Sequence, residues 1–278
     1  MTGQLTDIVR SAPLLEIRNL NYEYGPRSST SKGKSVAALS GIDLEIRAGS
    51  NLSLVGESGS GKSTFARCIT RIERPTSGEI YFEGRNIWQL EFEELKFFRN
   101  HVQLIFQDSA TSLNPRFTNE EIVAEPRIVR GEKNCPQLRE LVIAQMERLG
   151  LSAELASRRP LELSGGQRQR LAIARALMLE PALLIFDEAL SGLDLLVQER
   201  ILNLLRTLQT ESLVTYLFIT HNLTLAQALA DEIVVLHEGR IVERVSAMDL
   251  FTFPSHDYTR RLVESAQLLK LAVTNAKG

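Results

Sequence analysis

The sequence is poor in most of the features that mark specialised chains. Only 2 of its 278 residues are cysteine, and Cys68 and Cys135 show neither metal-site spacing nor the density of a disulfide framework. Glycine and proline, 17 and 9 residues, are too few for a collagen-like or low-complexity chain. Neither sign of charge dominates: 32 Lys+Arg stand against 34 Asp+Glu, a formal net charge of -2. The basic footprint of a nucleic-acid binder is therefore missing. No run approaches the roughly 18 consecutive apolar residues needed to cross a bilayer, and stretches such as 182–186 and 233–236 are strand-sized. The opening MTGQLTDIVR lacks the apolar stretch of a signal peptide. No internal repeat and no heptad run are found. What is left, with 44% hydrophobic and 24% charged residues, reads as a cytosolic globular protein of one large or two small domains.

The patterning supports an α/β protein. Leu14 to Leu20 alternates apolar and polar residues like a half-buried strand, Leu39 to Arg47 repeats that pattern, and Asn51 to Val55 is a short apolar strand entering a glycine-rich turn. The polar run 27–35 between the first two strands reads as a surface loop. Phe65 to Ile72 has helical character and stops before the turn cluster 74–78. Helical patterns dominate from about Asn119 to Leu179, including Leu138 to Leu149, with Gly150 as its expected C-cap. Strand character returns at Ala182 to Phe186, Tyr216 to Thr220 and Ile233 to Leu236. Strands alternating with helices argue for a mostly parallel sheet, here interrupted by a helical insert.

Gly56-Glu57-Ser58-Gly59-Ser60-Gly61-Lys62-Ser63 matches the phosphate-binding pattern G-x-x-x-x-G-K-[ST] and sits between an expected strand and an expected helix. Glycines let backbone N–H groups point at phosphate oxygens without Cβ clashes, and the helix offers its positive end to the same anion. Lys62 can reach the β- and γ-phosphates, and the Ser63 hydroxyl can ligate Mg²⁺. An accidental match is expected in about one chain in a hundred of this size.

Ala182 to Phe186 is a fully apolar strand that ends in Asp187 and Glu188. A buried strand delivers such acids to the carboxyl edge of a sheet, where open α/β folds bind ligands. Asp187 suits a Mg²⁺ ligand, and Glu188 can accept a proton from an attacking water. Leu163-Ser164-Gly165-Gly166-Gln167 precedes a helical run over Arg168 to Leu179. Ser164 suits an N-cap, and the paired glycines expose backbone donors at the helix start.

Taken in order, these motifs resemble the ATP-binding subunit of ABC transporters over about Leu14 to Leu262. The P-loop spans 56–64, a Q-loop glutamine follows in Ile105-Phe106-Gln107-Asp108, and LSGGQ lies at 163–167. The acids at 187–188, the D-loop Ser191-Gly192-Leu193-Asp194 and a switch histidine, His221, complete the set. The resemblance implies a P-loop NTPase core with a mixed, mostly parallel sheet, an N-terminal antiparallel β region and an inserted helical subdomain. It places the core at 1–107 and 179–245, the insert at 108–178 and a C-terminal extension at 246–278. ATP and Mg²⁺ are the implied ligands, with nucleotide contacts from Tyr24, Gly56, Glu57, Ser58, Gly59, Ser60, Gly61, Lys62, Ser63 and Thr64. Mg²⁺ ligation falls to Ser63, Gln107 and Asp187, and catalysis to Glu188, His221, Gln107 and Lys62. Tyr24 matches the aromatic that stacks on adenine, although ordinary strand packing is its alternative. The architecture implies a dimer, homo- or heteromeric, in which Ser164, Gly165, Gly166, Gln167 and Asp194 serve the partner's ATP.

Two stretches narrow the group. Phe106-Gln107-Asp108-Ser109-Ala110-Thr111-Ser112-Leu113-Asn114-Pro115-Arg116 and Phe253-Pro254-Ser255-His256-Asp257-Tyr258-Thr259-Arg260-Arg261-Leu262 resemble elements of oligopeptide, dipeptide and nickel importers. Asp257 stands where the second element usually has Pro, so the local turn is expected to differ. Asp187-Glu188-Ala189-Leu190-Ser191-Gly192-Leu193-Asp194 looks more like the nickel-importer form, which leaves cargo open between peptide and nickel or a chelated metal. No cysteine follows Cys135, so no iron–sulfur cluster is expected. The implied partners are a second ATP-binding subunit, two transmembrane permease subunits and an extracytoplasmic solute-binding protein, with the chain peripheral at the cytoplasmic face of the membrane. Rival readings are a P-loop kinase, which has no use for LSGGQ, a soluble ABC ATPase of DNA repair or translation, and an exporter ATPase.

Overall fold

The computed structural model describes residues 13–25, 35–107, 112–190, 193 and 195–275. Most of the expected surface loop at 27–35 and most of the D-loop fall outside them. The chain divides into two compact units, one of residues 1–98 and 216–278 and the other of residues 99–215.

The first unit holds two groups of strands. β1 (Pro13–Tyr24), β2 (Val36–Arg47), β4 (Ser77–Phe82) and β5 (Arg85–Asn86) form an antiparallel sheet in the order β2-β1-β4-β5. Ile17 on β1 faces Leu44 on one side and Ile80 on the other, and all three are buried. The period-2 pattern read from the sequence thus turns one face inward. β3 (Asn51–Val55) lies between β8 (Thr215–Thr220) and β9 (Glu232–His237) and runs parallel to both. β10 (Arg240–Ser246) closes this group antiparallel to β9. The central strands are largely apolar because parallel strands are covered on both faces, with Ser53 a buried polar exception on β3. Val55, Ile233 and Val235 pack with Leu223 and Ala226 of α7 (Leu223–Leu229) and with Tyr258 and Val263 of α8 (Asp257–Asn275). α1 (Lys62–Ile69) follows β3, and α2 (Phe92–His101) ends just beyond this unit's first segment.

The second unit pairs β6 (Val102–Ile105) with β7 (Leu183–Asp187) in parallel, Ile105 opposite Phe186. Around them lie α3 (Asn119–Val129), α4 (Pro136–Arg148), α5 (Gly165–Leu177) and α6 (Leu195–Ser212). α3 starts at a capping box in which the Thr118 hydroxyl accepts the Glu121 N–H and the Glu121 carboxylate accepts the Thr118 N–H. α4 ends as its sequence predicts: Gly150 takes a left-handed φ of +67°. Its N–H and that of Leu151 donate back to the carbonyls of Glu147 and Met146. That pair of bonds is the Schellman closure, which glycine allows without a Cβ penalty. Among the described residues no helix is long and apolar enough to cross a membrane.

Candidate nucleotide site

The cradle at 56–63 is built by close backbone packing. Ser60 N–H donates to Glu57 O at 3.2 Å, closing a tight turn, and the next residues wind straight into α1. Gly61 is the N-cap at φ +106°, and a Cβ there would lie 2.3 Å from Ala38 O. A Cβ on Gly56 would lie 2.2 Å from Leu236 O. Real Cβ atoms do not approach backbone oxygens so closely, so glycine is a steric requirement at both positions. Lys62 is 4% exposed, and its Nζ donates to Gly56 O at 2.8 Å and Glu57 O at 2.7 Å. The ammonium is held over the loop by two dipoles that an incoming phosphate can replace. Ser60 Oγ is buried with no hydrogen-bond partner.

Parallel pairing brings a second predicted residue to the same sheet edge. Val55, the residue before the loop, is paired with Thr220, so His221 and the cradle leave adjacent strands at their carboxyl ends. Asn222 then caps α7 by accepting the Leu225 N–H, which fixes the exit of the chain beyond His221. His221 itself is exposed. Tyr24, at the end of β1, leaves 41% of its surface exposed and its hydroxyl lies 2.8 Å from Thr64 Oγ1, just past the cradle. Tyr22 meets it edge-on with ring centroids 4.8 Å apart. Tyr22 is the buried member of the pair; burial and then the Glu73 carboxylate push its hydroxyl up to about 12. Tyr22 is thus the packed ring of the pair and Tyr24 the more exposed one. On the buried face of α1, burial raises the Cys68 thiol to about 12, which leaves it protonated and unreactive.

In the second unit Gln107, Asp187 and Glu188 also gather at one edge. Ile105 and Phe186 are register partners, so the Q-loop glutamine and the acids follow the same end of two paired strands. Gln107 is exposed, Asp187 buried and Glu188 half-buried. Glu188 adopts φ +53°, an uncommon left-handed backbone for a residue with a side chain, and such strain clusters at functional sites.

LSGGQ forms the first turn of α5. Ser164 is the N-cap, its hydroxyl accepting the Gln167 N–H at 3.2 Å while the Gln167 amide oxygen accepts the Ser164 N–H at 2.8 Å. Ser164 and Gly165 are exposed. A Cβ on Gly165 would meet nothing within 4 Å, and one on Gly166 only ordinary contacts from Leu193 and Val197. Asp194 lies outside the described residues.

Two contacts to the cradle have no motif of their own. Gly239, in the turn after β9, donates its N–H to Ser60 O at 3.0 Å. Tyr258 accepts the Glu57 N–H at 3.1 Å. The glycine after a strand was the only available sign of the first. The tyrosine belongs to the C-terminal element 253–262, whose sequence carries no sign of a contact with the cradle.

Comparison with known proteins identifies the family of the chain. The family model described as ABC transporter matches residues 39–191. The dipeptide transport ATP-binding protein DppF of Haemophilus influenzae is 39% identical over 95% of this chain and 81% of its own length. The oligopeptide transport ATP-binding protein AppF of Bacillus subtilis is 39% identical over 92% of this chain and 79% of its own. A solved dimer of the ATP-binding cassette MJ0796, in a post-hydrolysis state bound to ADP and Pi, superposes with a TM-score of 0.75 at 30% identity. That match covers 84% of this chain and 98% of the cassette. With its cradle, its strand-end acids and its capped LSGGQ helix, the chain belongs to the ATP-binding cassette family of ABC transporters and is an ATPase of that family.

Proposed function

We propose that this ATPase energises a peptide importer, working as a dimer of cassettes beneath two permease subunits fed by an extracytoplasmic solute-binding protein. The observation that carries the cargo class is the pair of relatives named for dipeptide and oligopeptide transport, alike over more than nine-tenths of the chain. The SLNPR and C-terminal elements support the importer group, which includes both peptide and nickel importers. Nickel is the second reading, motivated by Ala189-Leu190 after the acids. The chain is peripheral at the cytoplasmic face of the membrane, docked on its permease partners. Loss of labelled dipeptide uptake on deleting the gene supports the peptide reading; loss of nickel uptake with peptide uptake intact overturns it.

The chemistry follows from the residues. Arriving phosphates replace Gly56 O and Glu57 O as partners of Lys62 Nζ, while the cradle's N–H groups take the remaining oxygens. Tyr24 stacks on adenine, and His221 reaches the γ-phosphate. Glu188 accepts a proton from water as the water oxygen attacks the γ-phosphorus and the bond to the β-phosphate oxygen breaks, releasing ADP and phosphate. A buried carboxylate, a hydroxyl and an amide oxygen form a hard, all-oxygen donor set that suits Mg²⁺. Asp187, Ser63 and Gln107 would hold it, and it would supply positive charge against the phosphates. Glu188→Gln should retain ATP binding while phosphate release falls about a hundredfold or more; turnover at the parent rate sinks the assignment.

Gly165 supports the dimer reading. A glycine with open space where its Cβ would be is not required by this chain's own packing. A ligand pressed against that backbone does require it. Ser164, Gly165, Gly166, Gln167 and Asp194 would meet ATP held by the partner cassette, and closure and reopening of that interface would move the permease between two access states.

A further inference from the structure

The C-terminal run 253–262 has no part in the chemistry just described, yet it reaches the phosphate cradle. Its turn is anchored on Glu243 of β10, which is 7% exposed. One carboxylate oxygen accepts the Ser255 N–H at 2.7 Å and the Ser255 hydroxyl at 2.8 Å, and the other accepts the His256 N–H at 3.0 Å. α8 begins at the next residue. Tyr258 is 3% exposed, within the core cluster of Val55, Val235 and Leu223. Its ring stacks on His237 with centroids 3.7 Å apart and planes 21° from parallel.

The tyrosine hydroxyl and the lysine ammonium hold opposite edges of one peptide group. Tyr258 Oη accepts the N–H of Glu57 at 3.1 Å. The carbonyl of the same planar unit, Gly56 O, accepts from Lys62 Nζ at 2.8 Å. A peptide plane is rigid, so its rotation would swing both edges together. Once a nucleotide draws Lys62 away, the carbonyl edge is released and the N–H edge is what keeps the plane in register. Without a partner, that N–H carries the penalty of an unmade bond unless the plane turns to find one, and turning disorders the ring of donors that faces phosphate.

We propose that Tyr258 is a positioning residue of the nucleotide site: anchored through the Glu243-bound turn, its hydroxyl locks the Gly56–Glu57 peptide and so holds the cradle in its phosphate-binding geometry. The C-terminal extension is thereby a working part of the ATP site. The inference rests on ATP binding by the P-loop, which titration of the parent chain checks separately.

Tyr258→Phe in the full chain removes the acceptor and keeps the ring, its stack and its packing. A fluorescent ATP analogue with Mg²⁺ should bind about fivefold more weakly, with KM for ATP raised by the same factor and kcat within twofold of the parent. Affinity within twofold of the parent, or a fall in kcat at unchanged KM, overturns the proposal. Glu243→Gln loosens the anchor and should also raise KM. The double variant should bind no more weakly than the weaker single variant, since both act through one contact; additive losses overturn the relay from Glu243. Ser265→Ala, further along α8, should leave affinity unchanged, and an equal loss there would mean a general effect of the helix and would overturn the role of Tyr258.

Discussion

Two glycine-containing turns lead into helices in this chain, 56–61 before α1 and 164–166 before α5, and their glycines answer to different demands. In the first, an added Cβ would lie 2.2 Å from Leu236 O at Gly56 and 2.3 Å from Ala38 O at Gly61, so at these two positions the fold itself excludes any larger residue. In the second, an added Cβ on Gly165 meets nothing within 4 Å. One turn is shaped from within by neighbouring backbone; the other is presented outward. On the function proposed above, a cradle packed by its own chain would bind nucleotide unaided, whereas an open helix start would act on what is brought to it.

The sharpest way to break that contrast is to put alanine in both turns. Gly56→Ala or Gly61→Ala must push aside backbone that has nowhere to go, and we expect nucleotide affinity to fall about a hundredfold or more, with a loss of stability of several kcal/mol. Gly165→Ala should keep stability within about 0.5 kcal/mol and leave nucleotide binding by the single chain intact. Phosphate release by the assembled transporter should still collapse. Thermal melts, nucleotide titration and phosphate release separate the three outcomes. A Gly165→Ala protein with normal turnover would remove the outward role.

The capping boxes sharpen the same comparison at smaller cost. Thr118 and Ser164 make the same reciprocal pair of bonds with a residue three positions on. Thr118→Ala and Ser164→Ala should therefore each cost about 1 kcal/mol of stability. Only Ser164→Ala is expected to lower turnover as well. Equal effects on turnover would mean that the LSGGQ serine is a cap and nothing more.

What the sequence made legible was local. The P-loop, the strand ending in Asp187-Glu188, the cap at Ser164 and the stop at Gly150 each depend on residues a few positions apart, and each is where its pattern placed it. The strand alternation of β1 and β2 and the apolar runs of β3, β8 and β9 were readable for the same reason. The closing contacts were not. The Glu57 N–H meets Tyr258 across 201 positions, and no periodicity links a P-loop residue to a tyrosine in a C-terminal helix. The left-handed backbone at Glu188 was equally hidden, because nothing in an acidic side chain signals positive φ. Tyr22 and Tyr24 look alike in sequence; only burial separates the one that packs from the one that stays open.

Glu243 gives a pH-dependent test of the cradle's support. Burial alone would raise its carboxyl, but the neighbouring Thr259 hydroxyl and the donors from Ser255 and His256 outweigh that, so the group titrates below the ordinary carboxylate range. A depressed carboxyl contributes stability that is fully present above the unfolded value of about 4.3 and lost as pH falls through the lower folded value. Glu243→Gln should be less stable than the parent at neutral pH, and the gap should narrow on acidification below about pH 4.3. Urea midpoints across pH 3 to 7 read this directly. A gap that stays constant with pH would mean that the anchor does not act through its charge.

The smallest expected effect concerns the residue that departs from the importer pattern. Asp257 is the first helical residue of α8, where its carboxylate contacts Arg260 and favours the positive end of the helix. Proline is also well accommodated at a first helical position, since its fixed φ suits the helix and the N–H it lacks is not used within it. Asp257→Pro should therefore change stability by no more than about 0.5 kcal/mol. It should leave nucleotide affinity unchanged, because the anchor at Ser255 and His256 and the brace at Tyr258 flank the position without involving it. A marked loss of affinity would show that the start of α8, and not the Tyr258 hydroxyl alone, sets the position of the Gly56–Glu57 peptide.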